Sequence, residues 1–161
     1  MSQVERRLQA LGLVLPPPLR PPPGLRLPFV WVNVRGGRAF VSGHGPQDPD
    51  GSAAGPFGAV GDKVTVDEAH ASARKVALSM LGSLSRELGD LDRIAGWARV
   101  HGMVNCVAGF SATPTVINGF SDLVLDLFGP EIGRHARTAV GVCGLPLDFP
   151  VDIEAEVIIR P

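Results

Sequence analysis

Two cysteines in 161 residues, Cys106 and Cys143, are too few for a disulfide framework, and they form no CxxC pair of the kind that binds zinc or cycles electrons. Both fall in strand-like segments, so buried free thiols in a reducing compartment are expected. No apolar run approaches the length of a membrane span. Ser2 to Leu13 places Val4, Leu8 and Leu11 at helical spacing between charges and lacks the long apolar stretch of a signal peptide, so the expected location is the cytoplasm. Charge of neither sign dominates. Fifteen Lys and Arg against 16 Asp and Glu give a net charge of −1. With a pI near 6.4 and no basic cluster, strong nucleic-acid binding is disfavoured, because it rests on phosphate neutralisation. The chain also lacks HExxH, a Walker loop, GxGxxG and any Ser-His-Asp set at motif spacing, which leaves zinc proteolysis, nucleotide-phosphate chemistry and triad hydrolysis unsupported. His44, His70, His101 and His135 are scattered, and their spacing indicates no metal site.

What is present suits one globular domain: 45% hydrophobic and 19% charged residues. Six of the 15 prolines sit in Pro16-Pro17-Pro18-Leu19-Arg20-Pro21-Pro22-Pro23, a polyproline II arm. A spacer or an arm packed on the domain explains it better than an SH3-type ligand does. Residues 1–27 are therefore assigned to an N-terminal helix and proline-rich arm, and residues 28–161 to an α+β domain.

Within that domain, strand-like Phe29–Val34 and Arg38–Ser42 flank Arg35-Gly36-Gly37, and the Gly-Gly pair suits a tight hairpin turn. Thr65-Val66-Asp67-Glu68 reads as a capping box opening a helix that ends at Gly89, with Ala73, Val76, Met80, Leu84 and Leu88 as its buried stripe. Trp97–Val107 is the longest strand candidate. A second helix over Thr113–Phe128, with Pro114 near its start and Val116, Phe120, Leu123 and Leu127 inward, ends at Gly129-Pro130. The order is β-β-α-β-α-β-β, so two helices cover one face of the sheet and the other needs a different cover. Trp97, Arg99, His101, Met103 and Asn105 are expected on that second face, a mixture that suggests contact between subunits.

The last strands carry the chemistry. Arg137 opens one. In Val151-Asp152-Ile153-Glu154-Ala155-Glu156-Val157 the odd positions are apolar and the even ones carboxylates, so one face is core and the other acidic. The turn formers between the two strands suggest that they lie close, with Arg137 and the acidic row converging. A guanidinium stays charged and its fork matches a carboxylate, so Arg137 is a candidate anchor for a small carboxylic acid. A neighbouring Asp or Glu can orient water or move a proton.

Arg137-x-x-Val140-x-Val142-x-x-Leu145-Pro146 followed by Val151-Asp152-Ile153-Glu154-Ala155 resembles the signature of the RidA family, also called YjgF or endoribonuclease L-PSP-like. Pro28-Phe29-Val30, Val41-Ser42-Gly43 with Pro46, and Ile117-Asn118-Gly119-Phe120 match in the right order, and the resemblance covers about residues 28 to 159. It implies a chorismate-mutase-like fold: a mixed, mostly antiparallel sheet with two helices on one face, assembled as a homotrimer with ligand clefts between subunits. It further implies hydrolysis of reactive imines or enamines of amino acids, such as 2-aminoacrylate, to a 2-oxo acid and ammonia without metal or organic cofactor. By position, Arg137 matches the carboxylate-binding arginine and Asp152 the glutamate that positions water. Phe29, Ser42, Gly43, His44 and Asn118 complete the substrate-binding set. Phe29 stands where many members have tyrosine, Asp152 is one methylene shorter than glutamate, Ala139 replaces a frequent cysteine, and His44 stands where glutamine is usual. His44 is a candidate proton carrier, with a plain hydrogen-bonding or surface role favoured over it. A non-catalytic trimeric carboxylate binder is the alternative reading, and the RNase activity in the family's name ranks third.

Overall fold

The computed structural model describes residues 1–161. After an N-terminal helix α1 (Gln3–Ala10), the chain forms β1 (Val32–Arg35), β2 (Arg38–His44), α2 (Val66–Leu88), β3 (Ile94–Asn105), α3 (Thr113–Ile132), β4 (Ala136–Val142) and β5 (Val151–Ile159). The β-β-α-β-α-β-β order of the domain is the one the sequence implies. The sheet order is β1-β2-β5-β3-β4, and every pairing is antiparallel except β3 with β4. One α+β domain with a chorismate-mutase-like sheet results.

Local chemistry explains the element ends. Thr65 and Glu68 form the reciprocal capping box at the start of α2, satisfying two orphan N–H groups. Gly36 and Gly37, both at positive φ (55° and 74°), make the β1–β2 hairpin turn. In α3 the helical dihedrals break at Gly129 (φ 75°, ψ 172°), as Gly129-Pro130 implies, and a last turn then runs on to Ile132. Both predicted helical stripes are buried, and they meet Val100, Val104, Val151, Ile153 and Val157 of the sheet in one core.

Three expectations need correction. Trp97 does not share the helix-free face with Arg99. A register shift between Trp97 and Arg99 against β5 turns the indole inward, 3% exposed, edge-on to Phe120 and Phe128 of α3. A one-residue bulge reverses the face of everything before it, which strict alternation cannot foresee. The cysteines are not buried thiols: Cys106 lies just beyond β3 and is half-buried, and Cys143 lies just beyond β4 and is exposed. Finally, β4 and β5 are not neighbours, since β3 lies between them.

The N-terminal segment lies against the domain. Val4 and Leu8 of α1 are buried, and the Asp92 carboxylate accepts the N–H groups of Gln3 (2.7 Å) and Val4 (3.1 Å), where a helix N-terminus favours negative charge. Further along, the Pro16 carbonyl accepts from Arg86 of α2 (3.0 Å) and the Pro17 carbonyl from Gln47 (3.1 Å). No helix is long and apolar enough to cross a membrane.

Candidate active site on two faces of one sheet

Arg137 and Asp152 lie on opposite faces. Arg137 pairs in register with Val100, whose side chain is in the helix-covered core, so the arginine leans from edge strand β4 toward α3. There its Nη1 donates to Asn118 Oδ1 (2.8 Å) and Ser121 Oγ (3.1 Å), and its Nη2 to the Pro114 carbonyl (3.4 Å). Asn118 and Ser121 are three residues apart on one helix face, which is why a single nitrogen reaches both. A guanidinium has five N–H groups. These bonds take three, leaving Nε–H and one Nη2–H, the pair that grips a carboxylate side-on.

Asp152, the second residue of β5, lies on the opposite, helix-free face, in register with Met103. The ion pairs of the chain are Arg38–Glu156 and Lys75–Asp48, so no cation pairs with it. Burial first, and the Glu154 carboxylate second, push its carboxyl up to about 6. The β2–β5 register shifts between Val41 and His44, and this irregularity brings the Gly43 backbone onto the carboxylate. A Cβ at Gly43 would stand 2.3 Å from Asp152 Oδ1, so any larger residue there requires the carboxylate to move.

Farther along the same face is an open cavity of about 590 Å³, lined by Phe29, Phe40, Ser42, Arg99, His101 and Glu154 among others. Phe29 is 49% exposed and meets Trp31 edge-on at 5.2 Å. Ser42 Oγ donates to the Val30 carbonyl at 2.8 Å, tying the approach to β1 against β2.

His44 points the other way, into the protein. It is 4% exposed, with Nδ1 2.6 Å from the Ser42 carbonyl, Nε2 2.9 Å from Ser83 Oγ of α2, and the Trp31 ring 4.9 Å away. Desolvation lowers its pKa to about 4, so it is neutral at pH 7. Both nitrogens are already engaged in hydrogen bonds, and the surface position that was the other role favoured on sequence grounds does not hold for this buried ring.

One chain thus separates the candidate site residues into two groups. Phe29, Ser42, Gly43 and Asp152 belong to the helix-free face, and Arg137 with Asn118 belongs to the rim of the other. Arg99, His101 and Glu154 line the cavity; their alternation marks them as facing this side, although of the three only Glu154 falls within the signature motifs. Ser121 and His135, which touch or adjoin Arg137, were missed, and the Asn118-x-x-Ser121 spacing was the available signal. No group of three or more His, Cys, Asp or Glu side chains converges as metal ligands.

A five-stranded α+β sheet covered on one side, with an arginine at the β4 edge, defines a class, and the comparisons agree. Residues 25–152 match the family described as "YjgF/chorismate_mutase-like, putative endoribonuclease", and the chain belongs to that family. Protein TCP17 of Trypanosoma cruzi is 37% identical over 156 residues, covering 97% of this chain and 94% of that protein. A protein of unknown function from Agrobacterium tumefaciens superposes with a TM-score of 0.87 at 34% identity, covering 98% of this chain and 93% of its own. A "putative endoribonuclease" from Shewanella oneidensis gives a TM-score of 0.85 at 29% identity, over 97% and 99% of the two chains. At such coverage the likeness takes in α1 and the proline arm. Yeast Mmf1, at 18% identity and a TM-score of 0.58, shares the fold alone.

Proposed function

We propose that the protein is an imine or enamine deaminase that hydrolyses a small 2-imino or 2-enamino acid to the 2-oxo acid and ammonia, in a cleft completed by a second copy of the chain. The observation that carries this reading is the partly engaged guanidinium of Arg137, fixed through Nη1 and Nη2 with its Nε–H and one Nη2–H unused. A substrate carboxylate on those two groups draws electron density away from the adjacent C=N carbon. Asp152, with its carboxyl near 6, is suited to take a proton from water as water adds to that carbon and to return one to the nitrogen that leaves as ammonia. Because the two residues face opposite ways in one chain, the reading requires the β4 edge of one protomer to meet the helix-free face of another, as in a homotrimer. The chemistry as written calls for no metal or organic cofactor.

A second reading, a carboxylate-binding protein without turnover, is favoured by Phe29, which has no hydroxyl to donate, and by the short reach of Asp152; a misplacement of about 1 Å can cost on the order of a hundredfold in rate. Endoribonuclease activity ranks below both, since a net charge of −1 and the lack of a Lys/Arg cluster in the sequence argue against strong phosphate neutralisation. The deciding experiment generates 2-aminoacrylate in situ, traps the remaining imine with semicarbazide, and follows its loss with wild-type protein and Arg137→Ala. Faster loss with wild type alone supports the deaminase. No acceleration by either, with 2-oxo acids still bound by wild type, supports the binder.

A further inference from the structure

The loop after α3 carries a group that the proposed chemistry does not use. His135 Nδ1 lies 2.7 Å from the Gly133 carbonyl, and its Nε2 lies 2.9 Å from Ser121 Oγ. A carbonyl only accepts, so Nδ1 carries the proton and Nε2 is left as an acceptor. The Ser121 hydroxyl therefore donates to His135, and its lone pair receives the Arg137 Nη1–H at 3.1 Å. Every hydrogen in this row has one direction, running Arg137 to Ser121 to His135 to Gly133.

The fold builds the row deliberately close. The helical dihedrals break at Gly129, and the chain folds back so that His135 reaches Ser121 of the helix it has just left. Phe120 meets the imidazole edge-on at 6.5 Å and helps to fix the ring. Ser121 is 8% exposed, so water competes poorly for these bonds. Burial, and secondarily the Arg137 charge, lower the His135 pKa, while the Gly133 carbonyl opposes them; the neutral form that the row requires is the favoured one.

We infer that Ser121 and His135 are positioning residues for Arg137: they hold its Nη1 edge on α3, so that the Nε–Nη2 edge faces outward as a preformed side-on fork for one planar carboxylate. This rests on the carboxylate reading of the site given above. Arginine has several rotatable bonds, and fixing them before the ligand arrives removes an ordering cost from binding. Asn118 supplies the second anchor of Nη1, so loss of Ser121 loosens the fork rather than releasing it.

The test combines a ligand-free readout with a ligand-bound one on the full-length protein. Side-chain ¹⁵N NMR should find His135 as the Nδ1–H tautomer and Arg137 with slowed rotation about Nε–Cζ. Ser121→Ala and His135→Leu should both speed that rotation and weaken pyruvate binding by about tenfold, the usual size of one hydrogen bond to a charged group. His135→Gln places an amide oxygen near the lost Nε2 and should keep affinity within about threefold of wild type. Unchanged Arg137 dynamics and unchanged pyruvate affinity in well-folded Ser121→Ala and His135→Leu would overturn the inference, as would a His135 protonated on Nε2. If Arg137→Ala also leaves pyruvate binding intact, the carboxylate reading fails, while the NMR rotation rates still decide the positioning role.

Discussion

The two faces of this sheet treat their ionisable side chains in opposite ways. On the helix-covered face, His44 has a partner for each nitrogen and Arg137 for three of its five N–H groups. On the helix-free face, Asp152 is largely buried with no cation beside it, and Phe29, Val30, Phe40 and Ile158 are each more than 40% exposed. Two groups at one bulge of β2 make the contrast sharpest: desolvation takes His44 down to about 4 and Asp152 up to about 6. In each case burial favours the neutral form. The helix-covered face satisfies its buried side-chain polar groups within the chain except for the Trp97 Nε1–H, which has no acceptor, whereas the other face leaves apolar and acidic side chains uncovered.

The largest effect expected from breaking this contrast is on activity. Arg137→Ala should lower deamination by a factor on the order of a hundred or more, measured as imine left for semicarbazide, without lowering the melting temperature by more than a few degrees. Next comes His44→Leu. It strands the Ser42 carbonyl and removes a partner of Ser83, at a cost of about 1–3 kcal/mol in urea unfolding. Gly43→Ala drives a methyl into Asp152 and should cost about 1–3 kcal/mol, less when combined with Asp152→Ala, so that a double-mutant cycle reports coupling.

The last effect, of similar size, is a pH signature. The His44 pKa falls on folding, so its contribution to stability is complete above about 6.5 and is lost as pH falls toward 4. The Asp152 pKa rises on folding, so stability declines as pH rises from 3.8 toward 6 and stays lower above. Between pH 4 and 6 the two oppose each other. Asp152→Asn should remove one side, stabilising the protein at pH 8 by about 1–3 kcal/mol and steepening its loss of stability between pH 6 and 4. An unchanged stability profile in Asp152→Asn would mean that the carboxylate is solvated in the assembled protein.

Much of this was legible in the chain. Element order, the Thr65–Glu68 box, the Gly36-Gly37 turn and the two helix stripes follow from local rules of spacing and capping, and the structure has them. What local rules could not supply was register. The bulge at Trp97 moves an indole from one face to the other, and the strand order inserts β3 between β4 and β5, so the expected convergence of Arg137 with the acidic row does not occur within a chain. Alternation put Asp152, Glu154 and Glu156 on one face correctly because β5 has no irregularity within that run. His44 follows a bulge, where alternation gives no secure answer, and its partner Ser83 lies 39 residues away. Ser121 and His135 were missed because their meeting depends on the Gly129 break, a tertiary consequence of one residue's dihedrals.

The most direct test of a site shared between copies is complementation. Arg137→Ala and Asp152→Asn, each inactive alone, are unfolded together, refolded as a mixture and assayed on 2-aminoacrylate. Random assembly would pair an intact Arg137 from one chain with an intact Asp152 from its neighbour at about a quarter of the interfaces, and turnover should return to about that fraction of wild type. A mixture that assembles fully yet remains as inactive as its parents would contradict the account.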